Sequence, residues 1–163
     1  MLVTMKEILD RAKKDNYGVT SIMVDRSSLS YEDNIAQTKE TVKMCRPLNI
    51  SVEAELGHVG QSEDYSSDGS DHFTKPEEVK KFVEETGIDC LAVAIGTAHG
   101  RYHGTPHIDF DLLKQITDVV DIPLVLHGGS GTGDENLRKA VKNGIQKVNL
   151  ATELVVAGKE ELE

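Results

Sequence analysis

The sequence predicts an α/β fold in which a parallel sheet is covered by helices. Two observations predict it. Short apolar runs of strand length alternate with amphipathic stretches of helix period, five times in succession. Carboxylates, imidazoles and Gly-rich turns fall just after those runs, at the strand ends where parallel sheets carry their sites. These chemical residues differ from unit to unit, which argues against a helical repeat array.

Each element follows from its own residues. Met5 to Asp15 has apolar or small residues at Met5, Ile8, Leu9 and Ala12 with charges between them, a helix pattern that Thr4 can cap. Thr20 to Asp25 is a short apolar run with β-branched residues towards both ends, a buried strand. Glu32 to Cys45 is helical, with Ile35, Ala36, Val42 and Cys45 on one side, and Pro47 stops it. Ile50 to Leu56 alternates Ile50, Val52, Ala54 and Leu56 with Ser51, Glu53 and Glu55, the period of a strand. Gly57 to Thr74 is rich in Ser, Asp and Gly and reads as a long loop, a feature that often serves as a lid or binding segment.

Pro76 opens a helix that runs to Thr86 and ends at Gly87. Cys90 to Ile95 is a fully apolar strand, followed by a Gly- and His-rich loop over Gly96 to Ile108. Asp109 to Val120 is a helix and Pro123 to Leu126 a strand. His127 to Gly133 is a Gly-rich turn. Asp134 caps a helix through Asn143, with Gly144 past its end. Ile145 to Leu150 is the last strand, and a final helix begins at Thr152.

Composition narrows the classes. The 163 residues include 18 basic and 28 acidic side chains, a formal net charge of -10, so no nucleic-acid partner is expected. No apolar run approaches the roughly 18 residues of a membrane span, and no secretory signal is read. Cys45 and Cys90 form no CxxC pattern and suit a reducing, cytoplasmic setting.

The strand ends carry the chemistry. His99 and His127 close consecutive strands, which lie roughly 4.8 Å apart, so both imidazoles can reach one ion. Imidazole suits zinc, and a third ligand must come from elsewhere. A single histidine in such a place would more often bond a loop carbonyl. Asp25 and Glu55 end neighbouring strands and either bind a second cation or accept loop N–H groups. Glu63, in the long loop, is a general-base candidate set against a plain solvated charge. His58, His72, His103 and His107 read as surface or loop-ordering residues. Gly128-Gly129-Ser130-Gly131 and Asn149-Leu150-Ala151-Thr152 each lead into a helix and present backbone N–H groups suited to an anion. If they follow the last two strands of a (β/α)8 barrel, they lie where a phosphate sits.

Four stretches then carry a resemblance. Ser51-Val52-Glu53-Ala54-Glu55-Leu56-Gly57, Ala94-Ile95-Gly96-Thr97-Ala98-His99-Gly100, Leu124-Val125-Leu126-His127-Gly128-Gly129-Ser130-Gly131 and Val148-Asn149-Leu150-Ala151-Thr152-Glu153 resemble class II ketose-bisphosphate aldolases. These are the zinc-dependent fructose- and tagatose-bisphosphate aldolases. The resemblance covers nearly the whole chain. It implies a (β/α)8 TIM barrel, of which strands four to eight and the N-terminal helix are present in a single partial domain over residues 1–163. It implies reversible cleavage of a ketose 1,6-bisphosphate to dihydroxyacetone phosphate and glyceraldehyde 3-phosphate. By motif, His99 and His127 are two of three zinc ligands. Asp25 and Glu55 match a second or alternate position for a divalent or monovalent cation. Gly100, Gly128, Gly129, Ser130, Asn149, Leu150, Ala151 and Thr152 contact dihydroxyacetone phosphate. Glu63 matches the loop carboxylate that moves the proton at the nucleophilic carbon. A cytoplasmic dimer or tetramer is also implied.

The sequence departs from the family in one large respect. The strand ending in the Asp-His pair of proton donor and first zinc ligand is not found; Asp71-His72 falls in the polar loop. A segment holding strands one to three is expected to be missing between Val19 and Thr20, and the chain stops inside the eighth helix. A (β/α)8 barrel needs about 250 residues. Two further readings therefore stand beside the aldolase: an inactive fragment or phosphate- and metal-binding remnant of that family, and another phosphosugar enzyme on a TIM barrel. Fructose and tagatose substrates both stay open.

Overall fold

The computed structural model describes residues 7, 9, 10, 18–61, 72–102, 104 and 106–161. The helix expected over Met5 to Asp15 lies outside them, apart from Glu7, Leu9 and Asp10, which are helical. Strands β1 (Ser21–Val24), β2 (Ser51–Leu56), β3 (Cys90–Val93), β4 (Leu124–Leu126) and β5 (Ile145–Val148) form one sheet. Its order is β1-β2-β3-β4-β5, and every pairing is parallel. Helices α1 (Tyr31–Cys45), α2 (Pro76–Thr86), α3 (Phe110–Thr117) and α4 (Asp134–Lys142) make the crossovers, and α5 (Thr152–Glu160) follows β5. No helix among the described residues is long and apolar enough to cross a membrane.

Local chemistry sets the helix ends. The Ser30 hydroxyl accepts the Asp33 N–H at 3.1 Å and starts α1. Arg46–Leu48 tightens into a 3-10 turn around Pro47, so α1 stops where that proline predicts. Pro76 opens α2, and Gly87 closes it at φ 69, its N–H bonded to the Val83 carbonyl. Asp109 caps α3 by accepting the Leu112 N–H at 2.8 Å. One expectation shifts by a residue. Gly133, at φ 85, holds the cap position of α4, and Asp134 is its first helical residue. The turn needs a left-handed backbone there, which glycine supplies and aspartate resists.

Register explains which side chains share a face. Paired residues of a parallel sheet point the same way, and successive residues alternate. Ala54 pairs with Leu91, Leu91 with Leu124, and Leu124 with Ile145. Together with Val24, Val52, Val93 and Leu126 these form the apolar face, covered by Ile35, Val42, Val79, Phe82, Leu113, Ile116 and Ala140 of the helices. Each large side chain buried there stabilises the fold by roughly 1.5–3 kcal/mol. The opposite face carries Glu53 paired with Cys90, Glu55 paired with Ala92, and Val125 paired with Lys147. Glu53 and Glu55 are 2% and 1% exposed, so the alternation of β2 separates two buried faces, one apolar and one charged.

The last strand is shorter and less regular than its sequence suggests. It ends at Val148, and its pairing with β4 slips by one residue beside Leu124. Gln146 takes the extra place, and its side-chain oxygen accepts the Leu124 N–H at 2.6 Å. The bulge turns Lys147 to the charged face.

Candidate active site

Parallel topology brings the strand ends together on one rim. β2 supplies Glu53 and Glu55, and the turn after β4 supplies His127. The His127 ring sits between the carboxylates, with Nε2 at 2.8 Å from Glu53 Oε1 and Nδ1 at 3.1 Å from Glu55 Oε2. Lys147 Nζ donates to Glu53 Oε2 at 2.5 Å. Burial opposes charge on His127, yet the two carboxylate bonds outweigh it and raise its pKa to about 9. Burial also pushes the Glu53 carboxyl up, but the bonds from His127 and Lys147 win and hold it below its ordinary value.

His99 arrives from the loop after β3. Its ring centroid lies 5.7 Å from that of His127, so the two imidazoles are neighbours, as their strand-end positions predict. Burial, and then the charge of His127, lower its pKa. Its backbone N–H donates to the Gly60 carbonyl at 2.8 Å, and Gln61 bridges to it in parallel fashion. The start of the long loop is thereby tied to the site. Glu63 itself lies outside the described residues.

A second cluster stands beside the histidines. Asp25, Glu55 and His58 each offer a ligand atom within 4.8 Å of the others, a spacing able to hold a cation. Asp25 and Glu55 thus come together as the sequence suggests. His58, read as a surface or loop-ordering residue, joins them. Ser27 Oγ donates to Glu55 Oε1 at 3.1 Å and lies 2.9 Å from His58 Nδ1, which ties this turn to β2. The only sequence signal for His58 was its place directly after the Glu55-Leu56-Gly57 strand end. Glu53 was visible in the same motif, but nothing in the sequence separated its role from that of Glu55.

The nitrogen and oxygen donors of His99, His127, Glu55, Asp25 and His58 suit zinc or a related divalent ion. Among the described residues, the three-donor group is Asp25, Glu55 and His58 rather than a histidine triad.

The two turns expected to form an anion cradle also come together. Gly129 N–H donates to the Asn149 carbonyl at 3.1 Å, which joins the two Gly- and Asn-marked turns. Ser130 Oγ accepts the N–H groups of Ala151 and Glu153 at 3.1 and 3.3 Å and so caps α5 from across the gap. Gly128 must be glycine: its φ is 66, and a Cβ would meet the Ala98 carbonyl oxygen at 2.2 Å. Tyr102 pins the turns together. Its hydroxyl accepts the Ala98 N–H at 2.6 Å and lies 2.7 and 2.9 Å from the carbonyl oxygens of Ala98 and Gly128. Sequence reading missed this tyrosine. A cavity of about 380 Å³ opens beside the cradle, lined by Gly100, Ser130 and Thr152 among the expected contacts and by Arg101, Tyr102 and Gly131 besides. Gly128, Gly129, Asn149, Leu150 and Ala151 build its frame or lie beside it without lining it.

A sequence model of class II fructose-bisphosphate aldolases matches residues 3–163. The chain belongs to that family. Solved structures agree with this membership. The chain is similar to the YdjI aldolase of Escherichia coli K12, at 41% identity and a TM-score of 0.78 over 99% of its own length and 56% of that protein. It is also similar to the fructose-bisphosphate aldolase of Campylobacter jejuni, at 26% identity and a TM-score of 0.70 over 91% of its own length and 48% of that protein. It therefore spans about half the length of these two aldolases. Its five parallel strands and their helices are part of a TIM barrel.

Proposed function

We propose that this chain carries the metal- and phosphate-binding half of a zinc-dependent ketose-bisphosphate aldolase. Such an enzyme reversibly cleaves fructose or tagatose 1,6-bisphosphate to dihydroxyacetone phosphate and glyceraldehyde 3-phosphate. One observation carries the reading: two imidazoles, a carboxylate cluster and a glycine cradle meet on one rim of a parallel sheet. His99, His127 and Glu55 would hold the ion, with Asp25 and His58 at an alternate or second cation position. The bound ion supplies Lewis-acid polarisation of a ketone oxygen. The cradle of Gly128 to Ser130 with Asn149 to Thr152 orients a phosphate, and orientation lowers the barrier to breaking a chosen bond. In this reading Glu63, two residues after Gln61 in the sequence, would be the carboxylate that moves the proton at the reacting carbon. The proton donor and third imidazole that the family resemblance implies would belong to a segment expected between Val19 and Thr20.

A second reading is a metal- and phosphate-binding unit without turnover; among the described residues the cation-spaced group is Asp25, Glu55 and His58 rather than a histidine triad. Titration calorimetry with zinc and with dihydroxyacetone phosphate, run beside a cleavage assay on both bisphosphates, tests the two. The 163-residue chain is expected to bind both ligands, to lose zinc to chelator, and to show no cleavage. Cleavage by a chain of verified mass would favour a complete enzyme. Binding of neither ligand would overturn both readings.

A further inference from the structure

We propose that Lys147 is a positioning residue for His127, acting through Glu53. The inference rests on the proposed role of His127 as an ion ligand. It starts from the backbone. In a regular strand Lys147 would share a face with Ile145, two residues earlier, and Ile145 lies in the apolar core. The bulge at Gln146 breaks that alternation. Ile145 pairs with Leu124, but Lys147 pairs with Val125, on the face of Glu53. Bulges recur beside functional sites because they re-aim one side chain, and here the side chain re-aimed is Lys147. Gln146 keeps the local ladder satisfied by accepting the Leu124 N–H at 2.6 Å.

The re-aimed ammonium completes a chain of contacts. Lys147 Nζ donates to Glu53 Oε2 at 2.5 Å, while Glu53 Oε1 lies 2.8 Å from His127 Nε2. The carboxylate is thus held at both oxygens. A carboxylate held at two points cannot turn, and its second oxygen fixes the imidazole plane. That leaves His127 Nδ1 towards Glu55, 3.1 Å away, on the side of the cation-binding cluster. Among the described residues, Glu53 Oε2 without Lys147 keeps only the Cys90 thiol at 3.7 Å, a weak donor. The ring would then lose its tether. Carboxylates that orient metal-ligating histidines affect metal affinity in this way.

Three variants of the full chain test the proposal: Lys147→Met, Lys147→Arg and Glu53→Gln, each checked for folding by circular dichroism. Zinc affinity is read by competition with a chromophoric chelator. Separately, nitrogen-15 NMR of the metal-free chain reads the hydrogen-bonded His127 Nε2 proton. Lys147→Met and Glu53→Gln are expected to weaken zinc binding roughly tenfold, while Lys147→Arg stays within about threefold of the parent. The protected ring proton should persist in the parent and in Lys147→Arg and vanish in Lys147→Met. The proposal is overturned if either readout is unchanged in Lys147→Met, or if Lys147→Arg loses as much as Lys147→Met. A parent chain that binds no zinc would instead overturn the reading of the site as a metal centre; the ring proton then decides the role of Lys147 alone.

Discussion

His127 concentrates the energetics of the site in one residue. It is 5% exposed and touches two buried carboxylates. Removing one member of a buried charged group leaves the others uncompensated, so His127→Ala should cost on the order of 3 kcal/mol in urea unfolding, besides weakening zinc binding. The pH dependence follows from the raised pKa of about 9. The folded value lies above the unfolded one of about 6.5, so the stabilisation is whole below about pH 6.5 and is lost as pH rises towards 9. Unfolding free energy in chelator should therefore fall across that window by on the order of 3 kcal/mol, and His127→Asn should flatten the slope. His99 runs the other way. Its pKa is lowered by burial and by His127, so its contribution is present above about pH 6.5 and lost as pH falls below it. Zinc needs neutral imidazole, so ion binding should strengthen as pH rises over the range in which the metal-free chain weakens.

Turns and strand ends carry the next scale. Gly128→Ala forces a Cβ into the Ala98 carbonyl oxygen, 2.2 Å away, at φ 66. It should lower stability by about 2 kcal/mol and weaken phosphate binding, measured by thermal melting and calorimetry. Thr74 closes the long loop back onto the sheet. Its hydroxyl donates to the Leu56 carbonyl at 2.5 Å and accepts the Ala94 N–H at 2.8 Å, which links β2 to β3. Thr74→Val keeps the shape but strands two buried backbone groups, and chemical denaturation should show a loss of about 1–3 kcal/mol. Most elements were legible in the sequence because apolar period and Pro or Gly punctuation act locally. The bulge in β5 was not. It depends on the mismatch between β4 and β5, a relation between strands distant in sequence.

For the molecule as a whole, the sheet ends at β1 on one side and β5 on the other, with neither edge paired among the described residues. Leu154 and Val155, on α5, which follows β5 in the chain, are 68% and 72% exposed. Unpaired edges and clustered apolar side chains favour association. Light scattering is expected to give a mass above the 17.9 kDa of one chain, and Leu154→Lys with Val155→Lys to move it back towards that value. A strictly monomeric parent chain would contradict the expectation.

The sequence by itself determined the alternation of strands and helices, the nearness of His99 to His127 and of Asp25 to Glu55 at the strand ends, and the meeting of the turns after β4 and β5. It could do so because parallel βα units place every strand end on the same rim, whatever the details of packing. Only the tertiary structure decided what those side chains touch. It put His127 between Glu53 and Glu55, brought His58 to the carboxylates, and gave Tyr102 the task of joining two glycine turns. It also turned Lys147 to the face of Glu53. Each of these depends on distances between elements far apart in the chain, set by sheet register and one bulge, which no local pattern of residues encodes.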